Sequence, residues 1–205
     1  NVRESMSALD IKNNLLGVCD QMYLFEPGDD TTVCVLKAVK PKKVKLFTGP
    51  PSHKEDDAKV VHELMTNADI RIVSGGTTSQ IVARELGVEV KSSTEIYDKE
   101  VPPIAYIHGI NLVTEGVLTL SKTIDRLKSL SKSLDSNIFK AKDGASQMAK
   151  LLYSASHIKL LVGRSLNIAN AEISFQRDLE LRLHVIGELE KILVKLGKIV
   201  TIEYY

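Results

Sequence analysis

Residues able to hold a ligand gather in four short stretches of this 205-residue chain, each at the end of an apolar run: Lys45-Leu46-Phe47-Thr48-Gly49, residues 70–78 (IRIVSGGTT), 111–116 (NLVTEG) and 159–164 (KLLVGR). The residue types are small, hydroxylated or charged: Thr48, Gly49, Gly75, Gly76, Thr77, Thr78, Ser79, Thr114, Glu115, Gly116, Gly163 and Arg164. In an open α/β sheet, ligands bind outside the carboxyl ends of the strands, where loops of this kind meet. The Ser74 to Ser79 stretch (SGGTTS) is the sharpest, because it follows an apolar strand and opens a helical pattern. Glycines let the backbone approach an anion, and a helix N-terminus offers N–H groups and a favourable dipole. The same residues also suit an ordinary strand-to-helix turn with a Thr or Ser N-cap. Arg164 could grip a carboxylate or phosphate with two parallel hydrogen bonds, or pair with a surface acid. Glu115 could hold a ribose hydroxyl or a cation, or simply favour the dipole at the start of a helix.

Other chemistries are poorly served. The glycine stretch lacks the lysine of a Walker motif and the third glycine of a dinucleotide fingerprint. Ser74, Thr77 and Ser79 have neither a nucleophile elbow nor a neighbouring histidine. His53, His62, His108, His157 and His184 show no metal-ligand spacing, and Cys19 and Cys34 fit no zinc pattern. Asp29-Asp30, ahead of the apolar Thr31 to Val39 run, could serve a hard cation such as Mg²⁺ or Mn²⁺, or form a polar turn.

The elements that must position these groups follow from periodicity. Helices are expected over residues 3–21, Asp56 to Asn67, Thr78 to Leu86, from after Gly116 to about Leu134, Ala145 to Ser156 and Asp178 to Leu196. Strands are expected at Met22 to Phe25, Thr31 to Val39, Val44 to Thr48, Ile70 to Val73, Val88 to Val90, Ile104 to Ile107, Leu112-Val113, His157 to Val162 and Ile199 to Tyr204. Residues 136–144 read as a polar link, and Lys40-Pro41-Lys42-Lys43 as a boundary between residues 1–40 and 44–205. From Val44 onward, strands alternate with helices. The expected fold is therefore α/β: a mostly parallel, Rossmann-like sheet flanked by helices.

Composition removes several function classes. Lysine plus arginine number 27 against 26 acidic residues, a net charge of +1, which leaves no electrostatic footprint for nucleic acid. No apolar run approaches the ~18 residues of a membrane span. Residues 1–5 are not of signal-peptide type, and two cysteines cannot build a disulfide framework. A cytoplasmic protein is expected. The chain starts without a methionine inside an apparent helix, so it reads as a piece of something longer.

The stretch Met22 to Lys37, MYLFEPGDDTTVCVLK, resembles the last strand pair of metal-dependent protein serine/threonine phosphatases of the type 2C superfamily, and most closely the stage II sporulation protein E branch. The resemblance implies that residues 1–40 are the helix-plus-strand end of a phosphatase domain. It makes Asp29 a metal ligand in a Mg²⁺ or Mn²⁺ centre, and a phosphoprotein the substrate of the parent enzyme. The upstream acidic motifs of that family have no counterpart here, so the chain alone is expected to be inactive. LFTGPP, IVSGGTTSQIVARELG, GINLVTEGVLTLS, IKLLVGRSLN and LGKIVTIEYY resemble a C-terminal extension found on some bacterial phosphatases of this branch.

Three readings follow. In the first, residues 44–205 regulate a phosphatase by sensing a small anionic ligand or docking a partner. In the second, they form a free-standing enzyme acting on a phosphorylated or carboxylated metabolite, with Glu115 as acid/base. In the third, they are an interaction scaffold without a ligand. A core strand and helix cut from their sheet would expose apolar surface. Residues 1–38 are therefore expected to pair with another chain, including a second copy in a homodimer, to pack on the α/β region, or to be accompanied by a separate upstream chain.

Overall fold

The computed structural model describes residues 6–26, 28–132, 140–165 and 174–205. The chain divides into two compact units, Asn1–Lys40 and Pro41–Tyr205.

The first unit contains helix α1 (Ala8–Met22). A capping box opens it: the Ser7 hydroxyl accepts the Asp10 N–H at 3.1 Å, and the Asp10 carboxylate accepts the Ser7 N–H at 3.0 Å. No residue of α1 is buried. The strand expected at Met22 to Phe25 is instead the helix end and a turn, with Leu24 and Phe25 at φ of 54° and 61°. The strand expected at Thr31 to Val39 does not form either, and Leu36 is 93% exposed. The sequence has the β-branched composition of a strand. A strand is nevertheless defined by hydrogen bonds to a neighbour, and among the described residues of this unit none is supplied. The start of the expected helix at residues 3–5 and Pro27 of the expected turn lie outside the described residues.

The second unit is an α/β sandwich around a seven-stranded sheet. In chain order it runs β1 (Lys43–Thr48), a short 3-10 turn (Lys54–Asp56), α2 (Asp57–Met65), β2 (Ile70–Ser74), α3 (Gly76–Leu86), β3 (Lys91–Ser92), β4 (Ala105–Tyr106) and β5 (Leu112–Thr114). It continues with α4 (Val117–Lys132), α5 (Gly144–Ser154), β6 (His157–Val162), α6 (Ser174–Lys195) and β7 (Ile199–Tyr204). The spatial strand order is β3-β4-β5-β2-β1-β6-β7. Strands β5, β2, β1, β6 and β7 are mutually parallel, while β4 runs antiparallel to both β3 and β5. Numbered among themselves in chain order, the parallel strands give 3-2-1-4-5, the Rossmann order. The mostly parallel α/β fold expected from the sequence is thus the one observed. The Val88 to Val90 strand is absent: the only pairing nearby is the two-residue β3, whose exposed residues carry no alternation signal. Residues 133–139, which include the end of the expected long helix and the first part of the polar link, lie outside the described residues.

Alternation along the strands sends side chains to two cores. Phe47, Val73, Val113 and Leu161 pack with Val60, Val61 and Leu64 of α2 and with Ile81, Val82 and Ala83 of α3. Val44, Leu46, Ile72, Leu112, Ile158 and Leu160 pack with Leu120, Ile124 and Leu127 of α4, Met148 and Leu152 of α5, and Ile186, Leu189 and Leu193 of α6. Helices therefore cover both faces, and every parallel strand delivers its carboxyl end to the same edge.

Lys45 is an exception in the apolar pattern, at 7% exposure in the central strand. Its ammonium donates to the Glu63 carboxylate at 2.5 Å and to the Glu63 carbonyl at 2.7 Å. Lys159, its register partner on β6, donates to the same carboxylate at 2.8 Å and pairs with Glu203 at 2.6 Å. The hydrogen bonds from Lys159 and then Lys45 hold the Glu63 carboxyl below its ordinary value, outweighing burial. No described helix is long and apolar enough to cross a membrane.

Candidate functional site

Three of the four expected loops line one cleft at the carboxyl edge of the sheet. Strands β1, β2 and β5 end at Thr48, Ser74 and Thr114, and Gly49-Pro50, Gly75 and Glu115-Gly116 follow them. These loops, the first turn of α3, Val117 and Leu118 of α4, and Leu181 and Arg182 of α6 enclose about 320 Å³. That is the lower end of the range for small-molecule pockets.

The loops are tied together by their own backbones. Gly75, at φ 116° and ψ 138°, donates its N–H to the Thr114 carbonyl at 2.9 Å, joining the β2 and β5 loops. This conformation is rare for any residue with a Cβ, which is why glycine stands there. The Gly75 carbonyl accepts both the N–H and the hydroxyl of Ser79, at 2.9 and 2.8 Å. Ser79 therefore turns into the helix base and does not line the cleft. Thr114 is likewise engaged elsewhere: its hydroxyl donates to the Glu115 carbonyl at 2.9 Å, alongside the Ser74 hydroxyl on the same acceptor.

What remains on the cleft surface is a set of unused donors. The N–H groups of Gly76, Thr77 and Thr78 form the first turn of α3 and find no backbone carbonyl among the described residues. Helix α3 has no side-chain N-cap to satisfy them. Thr78 is 1% exposed and Thr48 2% exposed, both line the cleft, and neither hydroxyl has a hydrogen-bond partner among the described residues. Thr48 and Thr78 are buried as residues, but their hydroxyl oxygens are not sealed from solvent: the fully buried, unpartnered hydroxyls among the described residues are those of Thr119 and Ser146. A Cβ built on Gly76 meets nothing within 4 Å, so the space in front of this turn is open.

The fourth loop behaves differently. In the Rossmann order the ligand crevice lies where the strand order reverses, between β1 and β6. Here that position is sealed. The Gly163 N–H donates to the Thr48 carbonyl at 2.9 Å and the Ser165 N–H to the Pro50 carbonyl at 3.0 Å. A Cβ on Gly163 would sit well inside 3.0 Å of the Gly49 and Pro50 carbonyl oxygens. Gly163 thus serves close loop packing and not the cleft surface. Arg164, expected to face a ligand or pair with a surface acid, places its guanidinium 4.5 Å from the Tyr204 ring centroid, and its backbone N–H donates to the Tyr205 carbonyl at 2.9 Å. It does not line the cleft.

The arginine at the cleft is Arg182, whose guanidinium donates to the Gly163 carbonyl at 3.3 Å. The sequence carried a signal for it. Leu179, Leu183 and Ile186 mark the inward stripe of α6, and Arg182 falls on that stripe, where a charged residue is out of place unless it has something to face.

Asp29 lies in the first unit, where its carboxylate accepts the Asp30 N–H at 2.8 Å. Among the described residues no three histidine, cysteine, aspartate or glutamate side chains come together as metal ligands.

No protein-family model, curated protein or solved structure matches the chain. The fold and site define an α/β chain with a Rossmann-like sheet and a donor-rich cleft on one half of its carboxyl edge.

Proposed function

We propose that Pro41–Tyr205 is a regulatory, ligand-sensing region of a metal-dependent protein serine/threonine phosphatase, and that its ligand is a small anion held at the first turn of α3. One observation carries the ligand part: three unpartnered N–H groups and the unpartnered hydroxyls of two buried residues, Thr48 and Thr78, line one cleft with Arg182. Donors fixed by a helix and two strand ends need little reorganisation to receive an oxyanion. The phosphatase part is supported by the resemblance of residues 22–37 to the end of that catalytic fold. In this reading Asp29 contributes one carboxylate to a Mg²⁺ or Mn²⁺ centre whose other ligands lie outside this chain, and a phosphoprotein is the substrate of the parent enzyme.

Two measurements test the parts separately. The chain as it stands should not hydrolyse p-nitrophenyl phosphate or a phosphopeptide in the presence of Mn²⁺, and metal-dependent turnover abolished by Asp29→Ala would overturn that expectation. In the protein encoded by the whole reading frame, phosphopeptide hydrolysis should respond to Gly76→Val, which fills the space before α3. A reading frame without further acidic metal-binding motifs, or turnover abolished by Glu115→Gln, replaces the regulatory reading with that of a free-standing enzyme.

A further inference from the structure

The cleft is larger and less evenly polar than a bare anion requires, and these two facts say what kind of anion fits. Water occupies about 30 Å³ in the liquid, so the 320 Å³ cleft holds roughly ten water-sized groups. An inorganic phosphate has five heavy atoms. The N–H donors belong to the α3 turn. Val117, Leu118 and Leu181 line the same cleft, with Leu118 and Leu181 half-exposed at 49% and 50%. Two half-exposed leucines from different helices at a cleft mouth are available to cover an apolar group. Charge sets the remaining limit. Arg182 is the one cation among the described lining residues, and Glu115 lines the same cleft. Among the described residues, a second or third phosphate would meet a carboxylate and no further cation.

Resting on the anion-binding reading above, we propose that the ligand is an organic phosphomonoester with a compact apolar body. Its phosphate takes the N–H groups of Gly76, Thr77 and Thr78 and the Thr78 and Thr48 hydroxyls, and its body lies against Leu118 and Leu181. Three N–H donors and two hydroxyls lining one cleft suit the three terminal oxygens of a phosphomonoester better than the two of a carboxylate. The feature is more than a helix end: Thr78 is 99% buried, carries a hydroxyl without a partner and borders the cleft itself.

The test is calorimetric titration of the chain with phenyl phosphate, inorganic phosphate, benzoate, AMP, ADP and ATP, repeated on Gly76→Val, Thr78→Val, Thr78→Ser and Leu118→Ala. Phenyl phosphate should bind at least about tenfold more tightly than inorganic phosphate or benzoate, and AMP more tightly than ADP or ATP. Gly76→Val should remove all binding. Thr78→Val should weaken both phosphates and Thr78→Ser restore them. Leu118→Ala should weaken phenyl phosphate alone, a pattern that a loss of folding cannot mimic. Equal binding of inorganic phosphate and phenyl phosphate, or tighter binding of benzoate or ATP, with all of it still lost in Gly76→Val, overturns the phosphomonoester assignment and leaves the anion site standing. No binding by any of the six, or binding unchanged in Gly76→Val, overturns both.

Discussion

The two halves of the carboxyl edge use glycine for opposite ends. At the β1–β6 crossing, Gly49 and Gly163 let two loops press together until carbonyl and N–H groups of one meet those of the other. At the β1–β2–β5 side, Gly75 and Gly76 hold a helix start open, with nothing within 4 Å of a Cβ on Gly76. The same residue type closes one crevice and clears another. The strand order alone would have put the ligand at the crossing. Hydrogen bonding between the loops moves the available space one strand over.

The largest effect expected from this contrast is at the sealed half. Gly163→Val must displace two backbone carbonyls, and should destabilise the chain by about 3 kcal/mol or more. For a chain of this size that lowers the melting temperature by roughly 6–12 °C. Circular dichroism melts check it, and a change under 2 °C would show that the loops are not locked. Gly76→Val is the matched substitution at the open half. It enters empty space at a helical position, so its melting temperature without ligand should stay within about 2 °C of the parent. If the two variants melt alike, the division of the edge into sealed and open halves fails.

The smallest effect concerns pH and lies away from both halves. The Glu63 carboxyl is held below its ordinary 4.5 by Lys159 and Lys45. A folded-state value below the unfolded one means that the ionised form stabilises the fold. That contribution is complete above about pH 4.5, where the unfolded chain has also ionised, and is lost as pH falls through the lower folded value. Melts between pH 6 and pH 3 should fall less steeply for Glu63→Gln than for the parent. Equal slopes would mean that the network contributes no pH dependence.

How much of this was legible in the sequence depended on how local each cause is. Strands β6 and β7 match the expected His157 to Val162 and Ile199 to Tyr204 residue for residue, because each is a short run rich in apolar and β-branched residues that follows a helix end. The glycine stretch at 75–76 pointed to a turn that leaves open space before a helix, and the structure has that space in front of Gly76. Residues 31–39 carry an equally good strand pattern and form none, because a neighbour to pair with is not a property of the segment itself. Arg164 and Arg182 are the instructive pair. Arg164 follows a strand and looked placed for a ligand, yet Tyr204, two strands from β1, draws its guanidinium. Arg182 sits eighteen positions further on in the middle of a helix, and reaches the cleft only because α6 crosses the sheet there.

The buried position of Lys45 also gives the chain a chemical marker of its own integrity. An amine that is 7% exposed and already donating to Glu63 is shielded from acylating reagents, whereas the ammonium groups on the helix surfaces are open to them. Acylation at Lys45 can proceed only through molecules in which β1 has parted from α2. Its labelling rate therefore reports how often the central strand opens, one residue before Leu46 and three before the cleft begins at Thr48.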